Sequence, residues 1–120
     1  MAAATKIQKK SMKSPDETRF FEKGKVEIAK VGETSIGRAY FEPGWSWEKC
    51  VKPIAKGQAP HTQYIISGRM RVKMDDGSEE EFGPGDVGYV APGHNAWIIG
   101  NEPCVAIDFT GMKEYANRLT

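Results

Sequence analysis

Two histidines, each placed where an apolar stretch begins, are the residues of this chain best suited to chemistry. His94 follows the turn Ala91-Pro92-Gly93, and His61 comes just before the apolar run Tyr64-Ile65-Ile66. They are the only histidines among 120 residues. Imidazole changes charge near neutral pH and is the commonest metal ligand. Two such side chains at the mouths of two strands predict one shared pocket.

The residues around the histidines suggest what else such a pocket contains. Gln63 lies two residues after His61, so both share a face if the segment is a strand. Lys52 is either an anion ligand in a dry interior or a solvated lysine beside Pro53. The aromatic residues are either a pocket wall or plain core. The predicted ligand-binding set is Trp47, Lys52, His61, Gln63, Tyr64, His94 and Trp97.

Composition limits the classes of function. Lysine and arginine total 17 against 16 acidic residues, and the resulting net charge of +1 argues against bulk attraction to nucleic acid or membranes. No apolar run is long enough for a transmembrane helix, and the N-terminus has no apolar signal segment. We therefore expect a cytoplasmic protein, in which Cys50 and Cys104 are free thiols.

The elements that position these residues are short and separated by turns. Residues 1–18 are predicted to be a flexible arm, with a helical turn opened by Ser14 and Pro15, and residues 19–120 to be one domain. From residue 111 onward the chain is either an amphipathic helical turn or a loose tail. Trp45 and Trp47 are expected on one face of an extended segment. The predicted strands are 25–31, 35–41, 62–67, 69–74, 78–82, 87–90, 97–99 and 103–109.

Residues 69–82 carry the clearest local pattern. Apolar and basic residues alternate up to Met74, and Asp75-Asp76-Gly77 suits a three-residue hairpin loop. That loop sets Met70 opposite Phe82 and places the basic residues opposite Glu79 and Glu81. Asp86, after the next turn, is expected to bond backbone amides. Short strands and frequent turns with almost no helix predict an all-β sandwich or barrel.

The turn pattern resembles the cupin superfamily of jelly-roll β-barrels. A glycine after an apolar strand, an Asp-Gly hairpin, and the segments GPGDV and APGH carry the resemblance, which covers roughly residues 25–110. The second cupin motif, G-x5-P-x-G-x2-H-x3-N, fits at Gly85 and Gly93. Its proline position holds Ala91, and its histidine position falls on Ala96, two residues after His94. The resemblance implies a single-domain cupin β-barrel with an interior pocket.

The first cupin motif, G-x5-H-x-H-x(3,4)-E-x6-G, keeps its glycines and loses its usual ligands. Counting from Gly44, its two histidine positions hold Cys50 and Lys52. Counting back from Gly68, its glutamate position holds His61. The resemblance implies that three histidines and a glutamate hold a divalent metal in the usual cupin, a set suited to iron, manganese, nickel or zinc. This chain offers a different set.

Two functions follow from these residues. The first is a binding module that holds a small polar ligand in the barrel. The second is a metal-dependent enzyme of hydrolase, isomerase or dioxygenase type, with Cys50, His61 and His94 binding a Zn, Fe, Ni or Mn ion. The alternative for Cys50 is a small core residue, which leaves the histidines as hydrogen-bonding groups at the mouth. We expect a homodimer, because the edge strands of a small barrel need cover.

Overall fold

The computed structural model describes residues 7–55 and 57–109, which form two facing antiparallel β-sheets. The elements are β1 (Glu17–Phe21), β2 (Gly24–Val31), β3 (Thr34–Phe41), α1 (Trp47–Cys50), β4 (His61–Ser67), β5 (Met70–Met74), β6 (Glu79–Phe82), β7 (Val87–Val90), β8 (His94–Ile98) and β9 (Cys104–Asp108). Six strands form one sheet in the order β1-β2-β3-β9-β4-β7, and the other has the order β6-β5-β8. The predicted all-β fold is confirmed.

One hydrophobic core lies between the sheets. Because side chains alternate across a strand, every second residue faces this core. Ile65 and Ala106 contribute from the larger sheet, and Val72 and Ala96 contribute from the smaller one. Removing this apolar surface from water stabilises the fold by about 25 cal/mol per Å². The same inward face carries the polar residues of the candidate site.

The two sheets do not close into a barrel. Strand β7 ends one sheet and β6 ends the other, and within the described residues no ladder joins these two edges. A gap of about 310 Å³ opens between them, lined in part by Val72, Phe82 and Tyr89. The molecule is therefore an open sandwich, which is one of the two forms, sandwich or barrel, that the sequence predicts.

The predicted hairpin is confirmed in its register. Met70 pairs with Phe82, Arg71 with Glu81, and Lys73 with Glu79. Gly77 adopts φ +94°, the left-handed conformation that the three-residue loop requires. The charge pairs on this hairpin are exposed to water, so they contribute little to stability. The apolar alternation and the residues of the turn both predict the same register. The local sequence was therefore sufficient to predict this hairpin.

The helical turn predicted near Ser14 is absent, because a strand takes its place. Strand β1 begins at Glu17, so the predicted arm 1–18 overlaps it by two residues. The Asp16 carboxylate accepts a hydrogen bond of 2.7 Å from the Lys30 amide, which ties the entry to β1 onto β2. The prediction for residues 111 onward lies outside the described residues.

Trp45 and Trp47 do not lie in the extended segment that we predicted. The chain instead forms the short helix α1 directly after Ser46. The Ser46 hydroxyl accepts a hydrogen bond of 3.2 Å from the Lys49 amide, a typical N-cap contact. Both tryptophans are nevertheless buried. The signal for this helix was present in the sequence as a serine followed by an acidic residue in the first turn.

The cysteines are free and buried, as expected from their types. Cys50 and Cys104 both belong to the hydrophobic core. Burial raises the pKa of the Cys104 thiol to about 11. No helix in the described part of the chain has the length and apolar character needed to cross a bilayer.

Candidate functional site

The core contains a small inner cavity, of about 30 Å³, between the two sheets. A single buried water needs about 10–15 Å³ measured in this way, so the cavity has room for two or three. Aliphatic and aromatic carbons form most of its wall. Its polar side chains are Trp45, Trp47, His61, Gln63, His94 and Asp108. We call this space the inner cavity.

A buried histidine–aspartate pair forms one side of the inner cavity. His61 begins β4, and Asp108 ends the neighbouring strand β9. They are 7% and 4% exposed, and His61 Nδ1 donates to Asp108 Oδ2 over 2.7 Å. A carboxylate buried this deeply requires a close hydrogen-bond donor. Because the Nδ1 proton lies in this bond, the lone pair of the neutral ring is on Nε2.

His94 faces the inner cavity from the opposite sheet. Its ring centroid lies 6.0 Å from that of His61, with the rings nearly perpendicular. His94 Nδ1 lies 2.7 Å from the carbonyl oxygen of Ala91. A carbonyl can only accept, so Nδ1 carries the proton and donates it. Both histidines therefore have Nδ1 committed to an oxygen of the protein.

The environment of His94 favours its neutral form. Burial is the largest effect and lowers the pKa of His94 below its usual 6.5, and the charge of His61 lowers it further. The bond to Ala91 and the carboxylate of Asp75 oppose this shift. His94 is therefore mainly a neutral imidazole near pH 7.

Gln58 positions the backbone on which His94 sits. Its Oε1 accepts hydrogen bonds from the amides of Gly93, at 2.6 Å, and His94, at 2.9 Å. Its Nε2 donates to the carbonyl oxygen of His94 over 2.8 Å. Gly93 adopts φ +92°, a conformation that favours glycine, and a Cβ there would lie 3.1 Å from Asp75. Three bonds from one side chain thus hold the start of β8.

A larger opening, the mouth pocket, borders the inner cavity. It measures about 430 Å³, and Trp47 and His94 belong to the walls of both spaces. The exposed Lys52 and the carboxylate of Asp75 bring one charge of each sign to the mouth pocket. A small molecule in this pocket would therefore meet His94 on its way inward.

The structure brings together five of the seven residues predicted to bind a ligand. Trp47, His61, Gln63 and His94 line the inner cavity, and Lys52 lines the mouth pocket. Tyr64 and Trp97 are corrections, since neither lines these spaces.

Strand alternation explains both corrections. Tyr64 directly follows the inward-facing Gln63, so it projects from the outer face and is 40% exposed. Trp97 lies between the buried Ala96 and Ile98, opposite Arg71 on the outer face of the small sheet. The alternation that puts Gln63 on the same face of β4 as His61 therefore puts Tyr64 on the opposite face, away from the inner cavity.

The predicted metal trio of Cys50, His61 and His94 is not assembled. Cys50 packs in the hydrophobic core and does not line the inner cavity. Among the residues that the structure describes, no three His, Cys, Asp or Glu side chains form a group that could hold a metal ion. The donor set therefore does not fit the four-ligand arrangement of the usual cupin.

The predicted ligand-binding set left out three residues of this site, although the sequence analysis did allow that tryptophans form a pocket wall. Asp108 alternates with larger apolar residues, and these residues face outward while Asp108 faces in. Gln58 lies in a loop without a pattern. Trp45, assigned above to a strand face, lines the inner cavity beside Phe41, with ring centroids 4.2 Å apart. Only Asp108 could have been found from the sequence, because a charged residue within an otherwise apolar strand indicates a functional side chain.

Comparison with known proteins confirms the cupin resemblance. The model of the EutQ-like cupin domain family matches residues 41–106. A protein of unknown function from Vibrio parahaemolyticus is 14% identical, with a TM-score of 0.59 over 80% of this chain and 97% of that one. Another from Acinetobacter is 19% identical, with a TM-score of 0.56 over 78% and 89%. At these identities, the two structures show the fold alone.

An enzyme also resembles this chain, over part of its length. Oxalate decarboxylase from Bacillus subtilis is 33% identical, with a TM-score of 0.54, over 78% of this chain. The match spans only 26% of the decarboxylase chain. No curated protein matches the sequence. These comparisons show the jelly-roll fold and leave the activity to be argued from the site.

Proposed function

This chain belongs to the EutQ-like cupin family, and we propose that it binds a small polar organic molecule in the mouth pocket, with the polar end of that molecule toward the inner cavity. The observation that carries the proposal is the position of His94, which belongs to the walls of both spaces. One hydrogen-bonding group therefore serves the pocket and the cavity behind it.

The composition of the mouth pocket supports this function. Its volume of about 430 Å³ is within the range of small-molecule sites, roughly 300–1,000 Å³. Trp47 supplies an apolar wall, and Lys52 supplies a positive charge. Three hydrogen bonds from Gln58 hold the Gly93–His94 backbone in place. A site that is held before the ligand arrives loses less entropy on binding.

The similarity to oxalate decarboxylase supports a ligand with a carboxylate. That enzyme is named for a small dicarboxylate, and its identity of 33% to this chain is high enough to weigh in the proposal. Lys52 provides a charge that attracts such an anion, although Asp75 partly offsets it.

A thermal-shift screen of small organic acids, alcohols, sugars and amides tests the proposal. We expect at least one compound to raise Tm in a saturable manner. Its affinity should fall about tenfold in His94→Ala, because one hydrogen bond to a charged group is worth about 1.5 kcal/mol. Lys73→Ala, on the exposed hairpin, is the matched control. A screen with no saturable shift, or a shift that His94→Ala leaves unchanged, would contradict the proposal.

A metal-dependent enzyme is the second candidate. Its support is the state of the two imidazoles, because metal-ligating histidines also direct their other ring nitrogen to an oxygen of the protein. Against it stands the donor set, because no three His, Cys, Asp or Glu side chains in the described part of the chain form a group that could hold a metal ion. Elemental mass spectrometry of untagged protein decides between the candidates. Near-stoichiometric Zn, Fe, Ni or Mn that is lost in His61→Ala would favour the enzyme.

We further propose that the chain forms a homodimer in the cytoplasm. Tyr64, Ile66, Val87 and Tyr89 are all exposed on or beside the edge strand β7, and such edges are usually covered. The two free cysteines support a reducing compartment. Sedimentation velocity over a range of concentrations tests the dimer, which Tyr89→Glu should weaken. A monomer at all concentrations would overturn it.

A further inference from the structure

A buried donor without a partner belongs to Trp45, one of the residues that line the inner cavity. Trp45 is 2% exposed, and its Nε1–H has no hydrogen-bond partner among the residues that the structure describes. Buried polar groups almost always have a partner. The indole N–H can only donate, so the partner it lacks is an acceptor. An acceptor atom bound in the inner cavity, which Trp45 lines, would supply the missing partner.

The other polar groups of the cavity narrow the chemistry of that acceptor. Gln63 adds an amide, which supplies both donors and an acceptor. His61 and His94 keep their Nδ1 protons on Asp108 and Ala91. A proton taken up on Nε2 of either ring therefore turns an acceptor into a second donor aimed away from the protein oxygen. An anion with two acceptor atoms can accept one hydrogen bond from the indole of Trp45 and another from a protonated imidazole.

The size of the cavity sets an upper limit on the group that enters it. A volume of about 30 Å³ corresponds to two or three waters, which is comparable to the three heavy atoms of a carboxylate. A whole ring or sugar does not fit, so the rest of a larger ligand would lie in the mouth pocket.

We propose that the inner cavity binds the carboxylate group of a small organic acid, one oxygen accepting from Trp45 Nε1–H and the other from the protonated Nε2 of His94. This inference rests on the proposed function: the ligand lies in the mouth pocket, and its carboxylate group enters the inner cavity. A carboxylate that arrives from water brings one proton from solvent to His94, so no bond of the acid itself is broken.

The charges that face His94 decide whether this proton uptake is reasonable. His61 faces it from β4 and is balanced by Asp108, while Asp75 and Lys52 lie around the mouth pocket. The carboxylate of Asp75 favours a positive His94, and an anion hydrogen-bonded to the ring would act in the same direction. Binding should therefore be tighter at low pH, by up to about tenfold per pH unit for one proton.

Indole signals in a ¹⁵N NMR spectrum test the proposal directly, with sodium acetate as the probe and acetamide as its neutral counterpart. The three tryptophans give three indole N–H signals, and the signal of Trp45 is the one missing in Trp45→Phe. We expect acetate to move this signal in a saturable way, more tightly at pH 6 than at pH 8. Acetamide should leave it in place. Trp97→Phe, on the outer face, should bind acetate as the unmodified chain does.

Each other result overturns the inference in a distinct way. Equal shifts with acetate and acetamide would show that the inner cavity does not require a negatively charged ligand. A shift of the Trp47 signal alone would leave ligand binding in the mouth pocket intact and exclude the inner site. No shift of Trp45 at all would mean that the cavity holds only water. In Trp45→Phe, acetate affinity should fall about tenfold. If that variant does not fold, Trp47→Phe and Trp97→Phe identify the Trp45 signal as the one that both keep, and the titration of the unmodified chain decides.

Discussion

At the scale of single residues, the buried pair of His61 and Asp108 determines the character of the site. The pair joins β4 to β9 through side chains as well as through the backbone. Removing one member of a buried pair leaves the other without its hydrogen-bond partner, which costs more than the pair itself contributes. The two residues should therefore behave as one unit in stability measurements.

A double-mutant cycle measures this unit. We expect His61→Ala and Asp108→Ala each to lower the free energy of unfolding by about 1–3 kcal/mol. The double variant should lose less than the sum, with a coupling of about 0.5–3 kcal/mol. Urea unfolding followed by circular dichroism provides the values. Additive losses would show that the 2.7 Å contact contributes no coupling.

The lowered pKa of His94 makes stability depend on pH in a defined direction. Below about pH 6.5 the unfolded chain binds a proton at His94 while the folded chain still holds the neutral ring. The unfolded state then carries more protons, so the free energy of unfolding falls as the pH drops from about 6.5 to the folded pKa. Above pH 7 this contribution is constant.

Imidazole titration by proton NMR checks this expectation. The midpoint of His94, identified by its absence in His94→Asn, should lie below 6.5. The same variant should show a flatter dependence of stability on pH between 5 and 7. A midpoint above 6.5 would mean that burial is not the dominant influence on this ring.

At the scale of elements, a loop residue controls a strand. Gln58 makes three hydrogen bonds to Gly93 and His94, so Gln58→Ala should release the start of β8. We expect faster hydrogen exchange at the two amides and weaker ligand binding. Gln58→Glu is the matched variant, because it keeps an acceptor for both amides and loses only the donor to the His94 carbonyl. Protection that is equal in all three proteins would refute this role.

Two glycines separate backbone conformation from close packing. Gly68 and Gly77 both have positive φ, yet only at Gly68 would a Cβ approach backbone atoms, at 2.3 Å from the Pro103 carbonyl oxygen. Gly77→Ala should cost about 1–3 kcal/mol through its backbone conformation alone. Gly68→Ala should cost clearly more, because the strand end must also move. Urea midpoints of both variants, compared at equal slope, measure the difference.

At the scale of the whole molecule, the sequence predicts what is local and misses what is long-range. The hairpin from Met70 to Phe82 follows from alternation and one turn, and its register is correct. The placement of Asp108 beside His61 depends on pairing between strands 47 residues apart in sequence. No local pattern records that pairing. The shared pocket of the two histidines was predictable, because each histidine lies where an apolar stretch begins.

The family motif also agrees better with the turns of this fold than with its strand edges and inward side chains. The family motif implies a barrel, whereas the edges of β6 and β7 remain apart within the described residues. It implies ligands at fixed positions, whereas the residue at one of them, Cys50, packs as a core residue. In both cases the glycines that shape turns are kept and the side chains between them differ. The glycines at the turns therefore specify the fold, whereas the inward-facing side chains determine the chemistry of the site.

The two buried thiols allow the separation of the two sheets to be measured, because a reagent can label them only when they become exposed. Cys104 is fully buried with a pKa of about 11, so at pH 8 only about one thiol in a thousand is the reactive thiolate. Labelling by an aromatic disulfide should proceed no faster than the sheets separate. Cys50→Ala leaves Cys104 as the single reporter, and a ligand that binds the folded chain should slow its labelling. Immediate labelling of the native protein would show that the space between the sheets opens without unfolding.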